Sequence, residues 1–276
     1  MTVTLPSIAI LGTGSMGGAI LSGLLNPGVE VTGGIRVTNR SVEKAERLAA
    51  DGVTSLATSV DPDANRIAVA GARIVLIGVK PGMVPDLLRE IADSLEPDAI
   101  VVSVAAGVTI ETMEALVPGA VLRSMPNTPS VVGLGVTGLA AGTRSSDGDL
   151  AIVRELFETV GDVLVIPESK INALSTISGS GPAYVYFLIE QLTRTAIGLG
   201  FTPEQASTMV DGTFIGATQL LAASDSTPAE LRAQVTSPKG TTERAVAELE
   251  AADLSAVFDR AAAAALARAE ELASGS

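Results

Sequence analysis

The first residues whose types and spacing point to chemistry are glycines. Gly12, Gly14 and Gly17 form G-x-G-x-x-G after the apolar run 8–11 and before a helical apolar pattern through Ile20, Leu21, Leu24 and Leu25. In such a place Gly12 permits a tight strand-to-helix turn. Gly14 has no side chain to hold a pyrophosphate off the backbone, and Gly17 lets the helix pack closely on the strand. The helix start, around Thr13, Ser15 and Met16, adds free N–H groups and the positive end of its dipole. The pattern reads as a dinucleotide site, with an ordinary tight strand–helix turn as the alternative.

The segment Asn39-Arg40-Ser41 follows a predicted strand at 35–38. A site for NAD places an acid about here to bind the ribose 2′-OH. No acid is present. A carboxylate would repel a 2′-phosphate, whereas a guanidinium binds it bidentately. The chemistry therefore favours NADP(H), with NAD(H) second. Arg40 also suits a solvated helix start, and Ser41 a helix cap.

Further candidates stand where a sheet would end. Val79, Lys80 and Pro81 close the apolar run 73–79, Ala105 and Ala106 follow 99–104, and Asn127 lies in a proline-stiffened loop after 121–124. Ligands of open α/β sheets bind beyond the carboxyl ends of the strands. Asn65, on a predicted helix over 61–72, faces either the cofactor or water. A second donor cluster is Ser237-Pro238-Lys239-Gly240-Thr241-Thr242, ahead of a helix over 242–249. Hydroxyls, a lysine and helix-start amides form a nest for a small carboxylate. The same residues also make a plain connector capped by Thr241 or Thr242.

The elements that must position these groups fall into two sets. Strand and helix patterns alternate up to residue 166, which predicts an α/β Rossmann domain: a doubly wound, mostly parallel sheet over 1–166. From 167 to 276 only helical spacing is found, an all-α domain with helices over 171–178, 183–199, 202–223, 228–235, 242–249 and 254–273. The helix over 183–199 is apolar on nearly every side, so burial against a second subunit is predicted.

Composition narrows the chemistry. The chain of 276 residues has no Cys and no His, which removes thiolate and imidazole catalysis and the usual zinc ligands, so no metal site is expected. A formal charge of −13 opposes nucleic acid and anionic membrane. No apolar run is long enough to span a bilayer, and no basic leader precedes residue 8, so a cytoplasmic protein is expected.

Taken together, GTGSMG, VKPG, VSVAAGVTI, RSMPNTPS, SGSGPAYVYFLIE and VTSPKGTTE resemble, in this order, the pyrroline-5-carboxylate reductase family over nearly the whole chain. The resemblance implies NADPH-dependent (sometimes NADH-dependent) reduction of 1-pyrroline-5-carboxylate to L-proline, in homodimers interlocked through the C-terminal helices that often assemble further into decamers. By residue it implies pyrophosphate on the backbone around Thr13, Gly14, Ser15 and Met16. Adenosine ribose and 2′-phosphate would lie on Asn39, Arg40 and Ser41, with Asn65 near that ribose. Val79, Lys80 and Pro81 would border the ribose chain, and Ala105, Ala106 and Asn127 the nicotinamide. Ser237, Gly240 and Thr241 would hold the substrate carboxylate and Thr242 the ring nitrogen. The family usually has SPGG or SKGG where this chain has SPKG, so Lys239 either adds charge for the carboxylate or points outward. Asn172 stands where an acid is common.

Two rival readings remain. An NADP-dependent β-hydroxyacid dehydrogenase would need a lysine on the long interdomain helix, for which Lys170 is the candidate. A non-enzymatic NADP(H)-binding regulator would leave the donor-rich turn without purpose.

Overall fold

The computed structural model describes residues 2–274. It has ten strands: β1 Val3–Leu5, β2 Ile8–Leu11, β3 Val29–Val31, β4 Ile35–Asn39, β5 Val53–Ala57, β6 Ile74–Ile77, β7 Ile100–Ser103, β8 Ala120–Met125, β9 Gly135–Ala141 and β10 Gly161–Val165. Eight form one sheet in the order β10-β9-β8-β7-β6-β2-β4-β5, parallel throughout except between β8 and β9. Strands β1 and β3 make a small parallel sheet of their own. The chain leaves β2 toward β4 and β5 on one side, then returns to β6 on the other, so the order reverses between β2 and β6. Ligand crevices open at such a reversal.

The period of two along the strands explains the layers. Ala9 and Leu11 of β2 join Val75, Ile77 and Val101 in one buried cluster. Ile8 and Ile10 join Leu76, Ile100 and Val102 in the other. The first cluster is covered by α3 Ala64–Val69, α4 Val84–Ile91 and α5 Ile110–Glu114, the second by α1 Ser15–Leu24 and α6 Asp147–Glu158. The remaining helix among these crossovers, α2 Val42–Leu48, packs on β4 and β5. Strands β2, β6 and β7 are buried at every position, as near-continuous apolar runs require.

Two buried or half-buried ion pairs fasten the sheet to its flanks. Arg73 Nη2 donates to Asp149 Oδ1 at 2.6 Å, and Asp149 also closes a capping box with Ser146 at the start of α6. Arg123 on β8 is 4% exposed and donates to Glu168 Oε1 at 3.2 Å and to Asn172 Oδ1 at 2.7 Å. Glu168 Oε1 also accepts from the Ile110 amide, the first residue of α5.

The C-terminal part is helical: α7 Ile171–Leu174, α8 Gly181–Gly198, α9 Pro203–Ala222, α10 Pro228–Gln234, α11 Thr241–Ala251 and α12 Leu254–Ser274. Between α7 and α8 the break expected at 179–182 is a π-turn over Ser175–Gly179. Contacts divide the described chain into two compact units, one of residues up to Ser180 with those from Ala265 onward, the other Gly181–Ala264. Within the second unit α8 packs on α9, yet Tyr186 and Phe187 are 60% and 59% exposed and Ala196 alone on α8 is buried. Within its own unit this helix stays largely uncovered.

Candidate active site

The glycine turn has the geometry its spacing predicts. Gly12 adopts φ +86°, and a Cβ on it would stand 2.8 Å from Val79 Cγ1. A Cβ on Gly17 would stand 2.8 Å from the Gly12 carbonyl oxygen, so α1 could not approach β2 with any side chain there. Gly14 differs. A Cβ on it would meet nothing nearer than Gly78 O at 3.9 Å, because that direction opens into a cavity rather than protein. The expected pyrophosphate donors narrow at this point. The amides of Thr13 and Gly14 already donate to Thr38 O at 3.3 Å and Gly12 O at 2.9 Å. Ser15, Met16 and Gly17, in the first turn of α1, have no carbonyl one turn back inside the helix, so their N–H groups are the free donors.

The cavity measures about 760 Å³ and sits at the ends of β2, β4 and β6. Gly12, Thr13 and Gly14 line it, with Asn39, Arg40, Ser41 and Lys44 on one side and Val79, Lys80 and Asn65 among the rest. Asn39 is 6% exposed, and its side-chain oxygen accepts from the Thr13 hydroxyl. Its Nδ2 is buried and has no protein partner. A buried amide donor without an acceptor is costly unless a ligand supplies one. Ser41 occupies the N-cap position of α2, but its hydroxyl makes no capping bond and stays available. No acid ends β4. The residues present therefore suit an adenosine ribose that carries a 2′-phosphate.

Asn65 is held by its amide, which donates to Glu90 Oε1 at 3.0 Å, leaving its side-chain oxygen as the free group. Ala105, Ala106 and Asn127 follow β7 and β8 and are not among the residues lining the cavity. Asn127 instead ties its loop to β9 and to the π-turn before α8. Its oxygen accepts from Val136 N at 2.8 Å and its Nδ2 donates to Ser178 O at 3.0 Å. Pro81 starts the short helical turn Pro81–Met83 that leads into α4.

The second donor cluster folds as one turn in the other unit. Gly240 is the N-cap of α11, and neither Thr241 nor Thr242 caps the helix. The capping alternative for these threonines is thereby corrected: Gly240 needs no side chain to end the turn, and both hydroxyls stay free of that duty. Thr241, Thr242 and Glu243 supply first-turn amides without intrahelical partners. Lys239 adopts φ 61°, and its amide donates to Glu243 Oε2 at 2.9 Å. Ser237 O accepts from Gly240 N at 3.0 Å, closing the loop beneath the helix start.

Comparison with known proteins decides the family. Residues 168–272 match the model described as pyrroline-5-carboxylate reductase dimerisation, and residues 7–107 the model described as NADP oxidoreductase coenzyme F420-dependent. The chain is 37% identical over 272 residues to the pyrroline-5-carboxylate reductase of Corynebacterium melassecola, covering 96% of this chain and 98% of that one. To the Pseudomonas aeruginosa enzyme of the same name it is 35% identical, covering 97% of each. The chain belongs to the pyrroline-5-carboxylate reductase family. A solved pyrroline-5-carboxylate reductase from Coxiella burnetii is 34% identical, with a TM-score of 0.87 over 96% of this chain and 97% of that one.

Sequence reading missed several residues at the cavity. Lys44 and Thr58 line it beside Arg40, and Asp86 and Glu90 line it from α4. Lys44 was detectable, because it lies in the first turn of the helix that starts directly after Arg40-Ser41. Gly78 was not: its need for glycine comes from the Gly12 carbonyl, which a Cβ there would strike.

Proposed function

We propose that this chain reduces 1-pyrroline-5-carboxylate to L-proline, the last step of proline biosynthesis, using NADPH in preference to NADH. The observation that carries this reading is the turn over 237–242, whose hydroxyls and helix-start amides are not consumed by the fold, in a chain of this family. When bound, the nicotinamide supplies a hydride. The cradle at Gly14, the free amides of Ser15, Met16 and Gly17, the orphan Asn39 Nδ2 and the Arg40 guanidinium would hold the cofactor.

The remaining roles belong to this chain's own groups. Ser237, Gly240 and Thr241 bind the substrate carboxylate, with Lys239 as added positive charge. The Thr242 hydroxyl accepts the iminium N–H and orients the ring. A cyclic imine is basic and arrives protonated, so hydride can add to carbon without a strong side-chain acid. A site that aligns the reactants suffices. Reduction of a carbonyl would instead require a proton donor for the alkoxide.

That contrast weighs against a β-hydroxyacid dehydrogenase. Lys170, its required acid/base, is exposed at the end of the turn Glu168–Lys170, and the long helix α8 has no lysine.

The same reading assigns residues 1–166 as the dinucleotide-binding domain and 167–276 as the dimerisation and substrate domain. The dimerisation match over 168–272 supports a homo-oligomer, and the uncovered apolar residues of α8 support pairing through the C-terminal helices. Decamers would be built from such dimers. No described helix is long and apolar enough to cross a membrane, in keeping with work in the cytoplasm. The decisive assay follows NADPH absorbance with 1-pyrroline-5-carboxylate and, separately, with a small β-hydroxyacid in the oxidative direction. Turnover of the imine alone is expected. Turnover of the hydroxyacid alone would replace this reading with its rival.

A further inference from the structure

Among the described residues two besides glycine adopt positive φ, Asp253 at 48° and Lys239 at 61°. Asp253 has the usual local remedy, a short acceptor side chain: its Oδ1 accepts from the Ala256 amide at 3.3 Å. Lysine has no acceptor and cannot do this. The backbone of Lys239 is held from outside instead, by Glu243 Oε2 on its amide at 2.9 Å. The Lys239 ammonium enters no ion pair among the described residues, so Glu243 engages the amide of this residue and not its charge.

Glu243 also departs from the pattern of the other helix starts. In α6, α9 and α10 the third residue reaches back to the N-cap amide: Asp149 to Ser146, Gln205 to Thr202 and Glu230 to Thr227. In α11 the N-cap amide, that of Gly240, is already given to Ser237 O at 3.0 Å. Glu243 passes it and takes the amide one residue earlier. Two consecutive amides, of Lys239 and Gly240, are thus tied down on either side of the bend, which fixes the course of the turn into α11.

We propose that Glu243 is a positioning residue: by holding Lys239 in its left-handed conformation it keeps the 237–242 turn in its anion-binding shape before substrate arrives. The inference rests on the assignment of this turn to the substrate carboxylate made above. Left-handed backbone is disfavoured for a residue such as lysine, and the charge-assisted bond from Glu243 offsets that cost. A site that is formed only part of the time binds with an affinity reduced by that fraction. Once substrate is bound the turn is formed in either case. Loosening the turn therefore raises KM and leaves kcat near its value.

Steady-state kinetics of the purified full chain with 1-pyrroline-5-carboxylate and NADPH tests this, on wild type, Glu243→Ala, Glu243→Gln, Lys239→Gly and the double variant Lys239→Gly with Glu243→Ala. Glu243→Ala should raise KM about 5- to 10-fold with kcat within about twofold. Glu243→Gln keeps an oxygen that accepts from the Lys239 N–H, so its KM should stay within about threefold of wild type. Lys239→Gly also removes an ammonium, so the effect of Glu243 is read inside that background. There Glu243→Ala should change KM less than about twofold, because glycine takes positive φ unaided. Urea unfolding of the same proteins separates folding from binding. Wild-type KM in Glu243→Ala, with or without a lower urea midpoint, overturns the positioning role, and so does an equal rise of KM in both backgrounds. A wild type that does not reduce the imine overturns the assignment of the turn itself, a separate failure visible before any variant is made.

Discussion

The hydroxyl of Thr13 donates to the side-chain oxygen of Asn39, and this bond fixes which end of the Asn39 amide is left unpaired. With the oxygen committed to Thr13, the buried Nδ2 is the donor that remains for a ribose or phosphate oxygen. Thr13→Val keeps the shape and removes the bond, freeing the amide to flip. NADPH affinity should fall by about 1–2 kcal/mol, with thermal stability changed by less than that. Fluorescence titration of bound NADPH measures the effect, and an unchanged Kd would mean that Thr13 does not orient Asn39 for the cofactor.

Substrate chemistry is tested at the other donor cluster. Since Gly240 caps α11, Thr242→Val removes a hydroxyl without uncapping a helix. It should lower kcat/KM by about 1–3 kcal/mol through the unpaired iminium N–H, with NADPH affinity nearly unchanged. Ser237→Ala should act mainly by raising KM, because carboxylate binding is lost equally in ground and transition states. Steady-state kinetics on both variants separates the two roles. Wild-type kcat/KM in Thr242→Val would remove that residue from the chemistry.

Acid stability should depend on Asp149. Burial alone would raise its pKa, but hydrogen bonds from Arg73 and from the Ser146 amide and hydroxyl outweigh burial and hold it below the usual range. A depressed folded pKa adds stability that is fully present above the unfolded value, about 3.9, and is lost as pH falls through the folded one. Asp149→Asn should therefore cost about 1–2 kcal/mol at pH 7 and flatten the stability curve below about pH 4. Urea unfolding between neutral and acidic pH would show parallel curves for the two proteins if this pairing were unimportant.

The Arg123–Glu168 pair should be the more sensitive one. Glu168→Gln leaves a buried guanidinium with neutral acceptors only and weakens the bonds that Glu168 Oε1 accepts from Arg123 and from the Ile110 amide. A loss of about 2–4 kcal/mol is expected, seen as a lower urea midpoint with little change in slope. Asn172→Asp should soften the loss when combined with it, since a carboxylate there would restore a counter-charge to Arg123.

Much of this was legible in the sequence because glycine spacing, buried runs and caps act locally. The strands at β2, β6, β7 and β8 announce themselves as apolar runs, and the change to an all-helical chain after 166 follows from period alone. The misses share a different cause. Strands β1 and β3 have only three residues each, β5 is partly polar, and all three gain strand form from pairing, as β5 does along β4. The helices α4 and α5 are also short and begin close behind the turns after β6 and β7, so their amphipathic patterns have little length in which to repeat. At the site, Asn39 was legible by its place at a strand end, whereas its pairing with Thr13 joins residues 26 apart and has no signature along the chain.

The open direction at Gly14 has a practical consequence. Gly12, Gly17 and Gly78 are confined by neighbouring backbone or side chain, so substitution there disturbs folding and binding together. Gly14 alone among them has room, which makes Gly14→Ala a way to separate the two: a correctly folded chain that is blind to dinucleotide. Mixed with wild type and reassembled, such a silent subunit would dilute activity linearly if every protomer works alone. It would do so with upward or downward curvature if a protomer's turnover depends on whether its neighbour is loaded, and one titration would thus count the smallest independently working unit.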